Sequence, residues 1–348
     1  MVNKKAFSPK LLANRIKLLN SFFNKRTHVN GFPIELAVET TNRCNADCLM
    51  CPRSKMKRPI GDMDFKLFKK LIAEAKEYTE LVWLHLAGEP LLHPGLFEMI
   101  AYAKSTGINL GFSTNAISLD EIRARKIIDS GLDLLIISFD GATKETYEKI
   151  RRLSNFQQTL DNVLNYLKLK EKSAKFPYTQ IQCVYMKENQ DEVEKFNKMW
   201  QQTSVDSVRF KPYFRFPSIK EDLTASQPAA AKPDKPCFLL WRQCSIYWDG
   251  TVVSCCWDHL GQTPLGNLNN QSLAEIWNGP QMQSLRKKHL QGRYKDIGLC
   301  KTCNMPQIKL PFLLGGALVD DLTIKKSLIP FFDNLSNRRK IKGAQYYS

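Results

Sequence analysis

The chain has 348 residues, of which 43% are hydrophobic, and a formal net charge of +17. This length is enough for one large domain and a smaller one, and no stretch approaches the roughly 18 to 20 consecutive apolar residues that span a membrane. Arg15 and Lys17 interrupt the apolar residues near the N-terminus, which does not fit a secretory signal peptide. We therefore predict a cytoplasmic protein, and in that reducing compartment its ten cysteines favour metal or redox chemistry over disulfides.

The two ends of the chain carry much of the positive charge. Residues 1–32 contain seven Lys or Arg and no acidic residue, and residues 304–348 contain seven Lys or Arg and three Asp. The first segment predicts a helix with one apolar face, made of Leu12, Ile16, Leu19 and Phe23. This helix either packs on the outside of the main domain, the interpretation we prefer, or makes a peripheral contact with an anionic membrane surface.

From residue 33, strand and helix patterns alternate regularly. The predicted strands are 34–39, 81–87, 108–113, 134–139, 179–185 and 205–211, and the predicted helices are 64–77, 94–105, 119–130, 156–172 and 190–201. Six strands connected by five helices predict an α/β fold with a parallel sheet and right-handed crossovers. In such folds ligands bind at the C-terminal ends of the strands.

Three cysteines follow the first predicted strand. Cys44, Cys48 and Cys51 have the spacing C-x3-C-x2-C. Three thiolates in one loop can bind three irons of a cubane cluster and leave the fourth iron open to a small-molecule ligand. The alternatives are a zinc site that lacks its fourth ligand and a set of buried thiols.

Polar residues also follow the next three predicted strands, at the edge where a ligand is expected. They are Gly88 and Glu89 after the second strand, Ser113 and Asn115 at the third, Ser138 and Asp140 at the fourth, and Arg151 shortly afterwards. Each taken singly is also compatible with a helix cap or a loop turn. Their order along the chain and their placement after the cysteine loop make the set specific.

A second group of cysteines lies near the C-terminus. It has the form Cys237-x17-Cys255, followed by Cys300-x2-Cys303, and residues 245–254 between the first pair predict a hairpin that turns through Asp-Gly. The hairpin brings distant cysteines together, and four thiolates close a coordination shell. The same spacings suit a tetrahedral zinc site.

Together these motifs resemble the radical S-adenosylmethionine (SAM) superfamily, with a C-terminal auxiliary-cluster domain of the SPASM or shortened "twitch" type. The resemblance implies a partial (β/α)6 barrel with a SAM-binding [4Fe-4S] cluster on Cys44, Cys48 and Cys51. It implies a small α+β domain with an auxiliary [4Fe-4S] cluster on Cys237, Cys255, Cys300 and Cys303. Cys256 competes with Cys255 for one ligand position, and the spacing from Gly250 favours Cys255. Three thiols are left over and are predicted to be packing residues, namely Cys183, Cys244 and Cys256.

The resemblance also implies which residues bind SAM. The candidates are Gly88, Glu89, Ser113, Asn115, Ser138, Asp140 and Arg151. Glu89 and neighbouring backbone carbonyls would hold the SAM amino group. An arginine would pair with the SAM carboxylate, and we prefer Arg151 to Arg152 for this role.

The predicted domains follow from the same comparison. They are a basic helical extension over 1–32, the barrel over 33–216, a Pro- and Ala-rich linker over 217–236, the auxiliary-cluster domain over 237–305 and a basic, apolar tail over 306–348.

The resemblance implies a radical SAM oxidoreductase that cleaves SAM reductively to a 5'-deoxyadenosyl radical. The first hypothesis is oxidation of a small polar molecule, with the auxiliary cluster accepting an electron, and a reducing partner such as flavodoxin or ferredoxin. The second is a maturase that modifies a ribosomal peptide or protein side chain, although the 32 residues before the barrel leave no room for a leader-binding domain. A remote alternative is a zinc-bearing nucleic-acid-binding protein, but no nucleic-acid partner is expected. The sequence assigns no catalytic base.

Overall fold

The computed structural model describes residues 8–173, 177–225, 236–301 and 303. The strands are β1 (Glu35–Val38), β2 (Asp47–Cys48), β3 (Leu81–Trp83), β4 (Asn109–Thr114), β5 (Leu134–Ser138), β6 (Arg151–Arg152), β7 (Tyr178–Tyr185), β8 (Ser207–Pro212), β9 (Gln243–Ile246), β10 (Thr251–Val253) and β11 (Pro264–Asn267). The helices are α1 (Pro9–Phe23), α2 (Phe65–Ala75), α3 (Leu96–Ser105), α4 (Glu121–Asp129), α5 (Lys144–Ile150), α6 (Phe156–Glu171), α7 (Val193–Gln201), α8 (Leu273–Trp277), α9 (Pro280–Leu290) and α10 (Gly298–Lys301). The predicted tail over 306–348 and residues 226–235 of the predicted linker lie outside the described residues.

Nine strands form one sheet in the order β11-β10-β9-β1-β3-β4-β5-β7-β8. The six strands from β1 to β8 pair in parallel, and helices connect them along the chain. This confirms the predicted α/β class and its partial (β/α)6 barrel. Leu36 and Val38 of β1 are buried, together with Phe68 of α2 and Met99 of α3, in one core. Because these strands are parallel, the loop after β1 lies at the same edge of the sheet as the C-terminal ends of the other strands.

One predicted strand is shorter in the structure, and one helix of the barrel was not predicted. The second strand ends at Trp83 instead of residue 87, because the chain leaves the sheet to reach the cysteine loop, where the Glu89 N–H donates to Arg43 O at 2.7 Å. Helix α5 was not predicted, because its seven residues show little apolar periodicity. Glu192 holds its N-terminus by accepting from Ala142 N at 2.6 Å and from the Thr143 hydroxyl at 2.7 Å.

Helix α1 packs on the main body, as we preferred, but not through the apolar face that the sequence indicates. Leu11 and Leu18 are buried, and Phe22 packs edge-on against Trp241 with ring centroids 5.3 Å apart. Three apolar residues of the predicted face are instead largely exposed, namely Leu12 (42%), Ile16 (54%) and Phe23 (47%). Among the described helices, none is long and apolar enough to cross a membrane.

The C-terminal region extends the barrel sheet. The predicted hairpin is confirmed, since β9 and β10 pair antiparallel. Strand β9 also pairs in parallel with β1, with Leu36 opposite Cys244 and Val38 opposite Ile246. The region that holds the second group of cysteines is therefore hydrogen-bonded directly to the strand that precedes the first group.

Candidate active site

The cysteine loop after β1 is fixed by a short strand pair. Strands β2 and β6 pair antiparallel, with Cys48 opposite Arg151, and the Leu49 N–H donates to Ile150 O at 2.8 Å. The Cys51 N–H donates to Cys48 O at 3.0 Å and closes the turn between the second and third cysteines. The loop therefore brings Arg151, about 100 residues further along the chain, to the cysteines.

The three thiols lie among groups that suit an anionic cluster. Asn115 Nδ2 is 3.7 Å from Cys44 Sγ, and Arg151 Nη1 is 3.9 Å from Cys48 Sγ. Burial raises the pKa of Cys48 to about 12, and it also raises the pKa values of Cys44 and Cys51. These thiols would ionise only with a compensating cation, and iron supplies one. The donor set therefore fits a thiolate-bound iron–sulfur cluster.

The described side chains do not form a site for a single metal ion. Across residues 8–173, 177–225, 236–301 and 303, no group of three His, Cys, Asp or Glu side chains converges on a single ion. The cysteines of a cubane bind separate iron atoms and need not converge in this way.

Gly88 and Glu89 fasten the loop after β3 to its neighbours. The Glu89 carboxylate is buried and accepts from Leu91 N at 3.1 Å, from the Thr114 hydroxyl at 2.8 Å and from Asn115 N at 2.7 Å. Burial raises the pKa of Glu89, although these hydrogen bonds oppose the rise. A Cβ at Gly88 would lie 2.1 Å from Thr41 O, so only glycine fits against the segment that enters the cysteine loop.

The next two strand ends meet across the sheet. Ser113 Oγ of β4 and Ser138 Oγ of β5 are 2.9 Å apart and form a hydrogen bond. The Ser113 N–H donates to Nδ1 of His85 at 3.1 Å. Asn115 Nδ2 donates to Asn45 Oδ1 at 2.8 Å, which joins this edge to the cysteine loop. The structure thus gathers the strand-end candidates beside the first cysteine group.

Asp140 and Arg151 form a buried ion pair. Asp140 Oδ2 and Arg151 Nη2 are 2.7 Å apart, and Asp140 Oδ1 accepts from Val184 N at 2.6 Å. Burial alone would lower the pKa of Arg151, but the charges of Asp140 and Cys48 outweigh it and hold that pKa above its usual value. Two of the predicted SAM contacts therefore face each other, and Arg151 also faces a cysteine.

The second group of cysteines comes together from three parts of the C-terminal region. Cys237 precedes the one-turn helix Phe238–Trp241, Cys255 follows β10, and Cys300 and Cys303 lie at α10. Burial, and then the charge of the neighbouring cysteines, raises the pKa values of Cys237 and Cys300 to about 12. An apolar cluster packs against Cys255 and Cys303 and is made of Phe214, Phe216 and Leu299. These four partly buried thiols again fit iron ligation.

The three thiols without a predicted ligand role lie in two kinds of environment. Cys183 and Cys244 are buried in the core, so their predicted packing role is confirmed. Cys256 is partly exposed and forms a side-chain hydrogen bond with Cys255. The choice between Cys255 and Cys256 as a ligand therefore stays a prediction.

Sequence reasoning missed two polar residues of the barrel mouth, His85 and Lys211. Lys211 lies near the C-terminal end of β8, with Nζ 4.3 Å from the centroid of the Trp257 ring, which stacks on Phe214. Burial lowers the pKa of Lys211 to about 8, and the charges of both Asp140 and Cys256 act on it. Lys211 thus interacts with Asp140 of the barrel and with Cys256 of the C-terminal region. A single lysine in a strand gives no sequence signal of such a position.

Family comparisons match both halves of the chain. The Radical SAM superfamily matches residues 38–199, and the SPASM iron–sulfur cluster-binding domain matches residues 237–304. The chain belongs to the radical SAM superfamily. This radical SAM protein therefore binds SAM and carries [4Fe-4S] clusters, with a C-terminal SPASM domain. The iron–sulfur identity of that domain removes the support for a zinc-bearing nucleic-acid-binding protein.

Several curated proteins resemble this radical SAM protein. It is 25% identical over 316 residues to the tungsten-containing aldehyde ferredoxin oxidoreductase cofactor-modifying protein of Pyrococcus furiosus, which covers 77% of this chain and 88% of that protein. It is 25% identical over 276 residues to the SAM-dependent 2-deoxy-scyllo-inosamine dehydrogenase of Niallia circulans, covering 77% and 92%. It is 28% identical over 204 residues to the mycofactocin maturase MftC of Mycobacterium ulcerans, covering 57% and 53%, so it matches about half of that protein.

Solved structures share the fold of this radical SAM protein. Streptococcus suis SuiB bound to SAM has a TM-score of 0.65 at 14% identity, covering 82% of this chain and 75% of SuiB. BtrN in complex with AdoMet and 2-DOIA has a TM-score of 0.52 at 20% identity, covering 79% and 94%. At these identities the likeness concerns the fold alone.

Proposed function

We propose that this enzyme oxidises a carbon centre of a small polar molecule, such as a carbon that bears a hydroxyl group. Reductive cleavage of SAM to a 5'-deoxyadenosyl radical is the chemistry that the first cluster and SAM supply together. Loss of one hydrogen atom to that radical, one electron to the auxiliary cluster and one proton to a base then completes a two-electron oxidation of the substrate.

The observation that carries this proposal is the pair of unequal cysteine groups around one barrel mouth. As ligands, Cys44, Cys48 and Cys51 would leave one iron of a cubane open, whereas a second group of four ligands would leave no iron open. A closed cluster can accept an electron but offers no site for substrate. We therefore assign the auxiliary ligands as Cys237, Cys255, Cys300 and Cys303.

The proposed roles of the barrel residues rest on their position near the first cysteine group. We propose that SAM is held by Gly88, Glu89, Ser113, Asn115, Ser138, Asp140 and Arg151, which border the first cysteine group. We propose that Lys211, which interacts with Asp140 and Cys256, supplies a cation to a polar substrate. A cytoplasmic location and reduction by a flavodoxin or ferredoxin complete the proposal.

The relative that supports a small substrate is the 2-deoxy-scyllo-inosamine dehydrogenase, because the match extends over 92% of its length. The second candidate function is modification of a peptide or protein side chain. It is favoured by matches to the mycofactocin maturase and to the PqqA peptide cyclase of Gluconobacter oxydans, which is 22% identical over 280 residues.

The first test is the iron and sulfide content of the protein purified anaerobically, compared with the variant Cys44→Ala/Cys48→Ala/Cys51→Ala. We expect about eight irons per chain in the wild type and about four in the variant. With reductant and SAM, only the wild type should release 5'-deoxyadenosine. Zinc in place of iron, with no cleavage of SAM after reconstitution, would contradict the proposal.

A second test separates the two substrate classes. Deuterated aminocyclitols and deuterated peptides are incubated separately with the reduced enzyme and SAM, and 5'-deoxyadenosine is examined by mass spectrometry. Deuterium transfer from an aminocyclitol supports oxidation of a small molecule. Transfer from peptides alone would move the maturase to first place.

A further inference from the structure

His289 lies between two cysteines of the auxiliary group that are far apart in sequence. It is a buried residue in the last turn of α9, and its ring packs edge-on against Tyr294 with centroids 5.0 Å apart. The backbone N–H of Cys237 donates to His289 Nδ1 at 3.3 Å. His289 Nε2 is 3.6 Å from Cys300 Sγ on the other side of the ring.

The contact with Cys237 fixes the tautomer of His289. A backbone N–H can only donate, so Nδ1 must accept and cannot carry a proton. The ring is therefore neutral, and its single proton is on Nε2, which faces the sulfur of Cys300. The packing against Tyr294 holds the ring in this orientation.

We propose that His289 donates an N–H···S hydrogen bond to Cys300 and thereby raises the reduction potential of the auxiliary cluster. Reduction adds negative charge to a cluster and its thiolates, and a donor aimed at a thiolate sulfur stabilises the reduced form more than the oxidised form. This inference rests on the proposed auxiliary cluster with Cys237 and Cys300 among its ligands. His289 is a positioning residue that also ties these two ligands together.

The same geometry argues against His289 as an iron ligand. Ligation through Nε2 would require a lone pair on Nε2 and therefore the proton on Nδ1. That proton would point at the Cys237 N–H, which already occupies the Nδ1 lone pair. A hydrogen bond to Cys300 is the arrangement in which both ring nitrogens have a suitable partner.

The test uses the full chain with Cys44, Cys48 and Cys51 replaced by alanine, so that only the auxiliary cluster is loaded. His289→Phe is added to this background, and iron content and the midpoint potential are measured by a redox titration followed by electron paramagnetic resonance. We expect about four irons to remain. The potential should fall by about 59 mV, which is a tenfold change in a one-electron equilibrium constant. His289→Gln keeps an N–H donor and should recover part of the fall.

The matched control is His93→Phe in the same background. His93 is also buried, accepts from Gly95 N at Nδ1 (3.0 Å) and contacts Met63 O through Nε2 (3.1 Å), so its loss removes the same bonding pattern without a thiolate. The auxiliary potential should not change in this control.

Three outcomes would count against these proposals, and each points to a different step. An unchanged potential with full iron in His289→Phe overturns the role of the hydrogen bond. Strong nitrogen hyperfine coupling in the wild-type cluster, with iron lost in both His289 variants, shows that His289 is a ligand. Absence of iron in the triple-cysteine background with His289 intact overturns the proposed auxiliary cluster itself. If His289→Phe fails to fold, the potential of His289→Gln and the hyperfine measurement still decide.

Discussion

Gly88 is the residue at which the cysteine loop depends most directly on the absence of a side chain. A Cβ there would lie 2.1 Å from Thr41 O and 2.8 Å from Arg43 O, and both are backbone atoms that cannot turn aside. These atoms belong to the segment that leads into Cys44. Any side chain at position 88 must therefore displace the loop itself.

We expect Gly88→Ala to destabilise the protein by about 1–3 kcal/mol, as overpacking does. It should also lower the iron content of the first cluster. Urea unfolding and iron analysis check this, with Gly95→Ala as the control, because its nearest contact is a side-chain atom of His93 at 3.3 Å. Full iron loading and wild-type stability in Gly88→Ala would show that the loop adapts.

Arg151 and Arg152 are neighbours with opposite environments. Arg151 is buried against Asp140 and Cys48, whereas Arg152 is exposed. Removing Arg151 leaves a buried carboxylate without its partner, so Arg151→Met should cost about 3–5 kcal/mol. Arg152→Met should cost far less. Denaturant unfolding measures both, and calorimetric titration with SAM tests whether only Arg151 is needed for binding. Equal stability of the two variants would refute the importance of the buried pair.

Candidate site residues that belong to a local sequence motif can be predicted, whereas those outside such a motif cannot. Cys44, Cys48 and Cys51 are recognisable because their spacing is local. His85 and His289 are single histidines whose partners lie far away in sequence, such as Cys237 for His289. No local pattern distinguishes them from other buried histidines.

Helix α1 shows how an element can be predicted while its orientation is wrong. Leu12, Ile16 and Phe23 are exposed, because the face turned toward the main body combines Leu11 and Leu18 with buried polar residues. Asn14 Nδ2 donates to Phe32 O at 2.9 Å, and Arg15 forms a buried ion pair with Glu80. These partners satisfy buried polar groups and lie too far along the chain for periodicity to reveal. The exposed stripe leaves the predicted contact with an anionic membrane surface as a prediction.

The orientation of α1 predicts unequal costs for two similar truncations. Leu18 is 1% exposed and Ile16 is 54% exposed. Leu18→Ala should cost about 2–5 kcal/mol, because it leaves a cavity. Ile16→Ala should change stability by no more than about 0.5 kcal/mol. Chemical denaturation of both variants checks this, and a larger loss for Ile16→Ala would mean that the helix packs through its other face.

The guanidinium of Arg58 contacts both halves of the molecule. Arg58, shortly after the first cysteine group, donates to both carboxylate oxygens of buried Glu39, at 3.0 and 2.7 Å. It also donates to His259 O, at 3.1 and 3.2 Å, and lies 3.5 Å from the centroid of the Tyr247 ring. Both of these residues belong to the C-terminal region.

Because Glu39 is buried, its pairing should matter more than that of a surface carboxylate. Arg58→Met is expected to cost about 3–5 kcal/mol. The control is Arg125→Met, which removes an exposed pair with Glu121 and should cost no more than about 1 kcal/mol. Thermal unfolding of the two variants compares them. Equal losses would mean that this contact does not hold the halves together.

For the whole molecule, the alternation of strand and helix patterns was enough to predict the parallel sheet. The pairing of β1 with β9 was not predictable in this way. The two strands are about 200 residues apart, and nothing in either short segment specifies the other as its neighbour. The sequence predicts an auxiliary-cluster domain over 237–305, and strands β9, β10 and β11 of that segment continue the barrel sheet.

This continuous sheet connects the two cysteine groups mechanically. One strand, β1, leads into Cys44, and its hydrogen-bonded neighbour β9 leads through β10 to Cys255. Backbone hydrogen bonds between neighbouring strands therefore tie the segment that precedes Cys44 to the segment that precedes Cys255. The loops around these two cysteines can therefore move without separating the strands that lead to them, because the paired backbones of β1 and β9 hold the strand ends side by side.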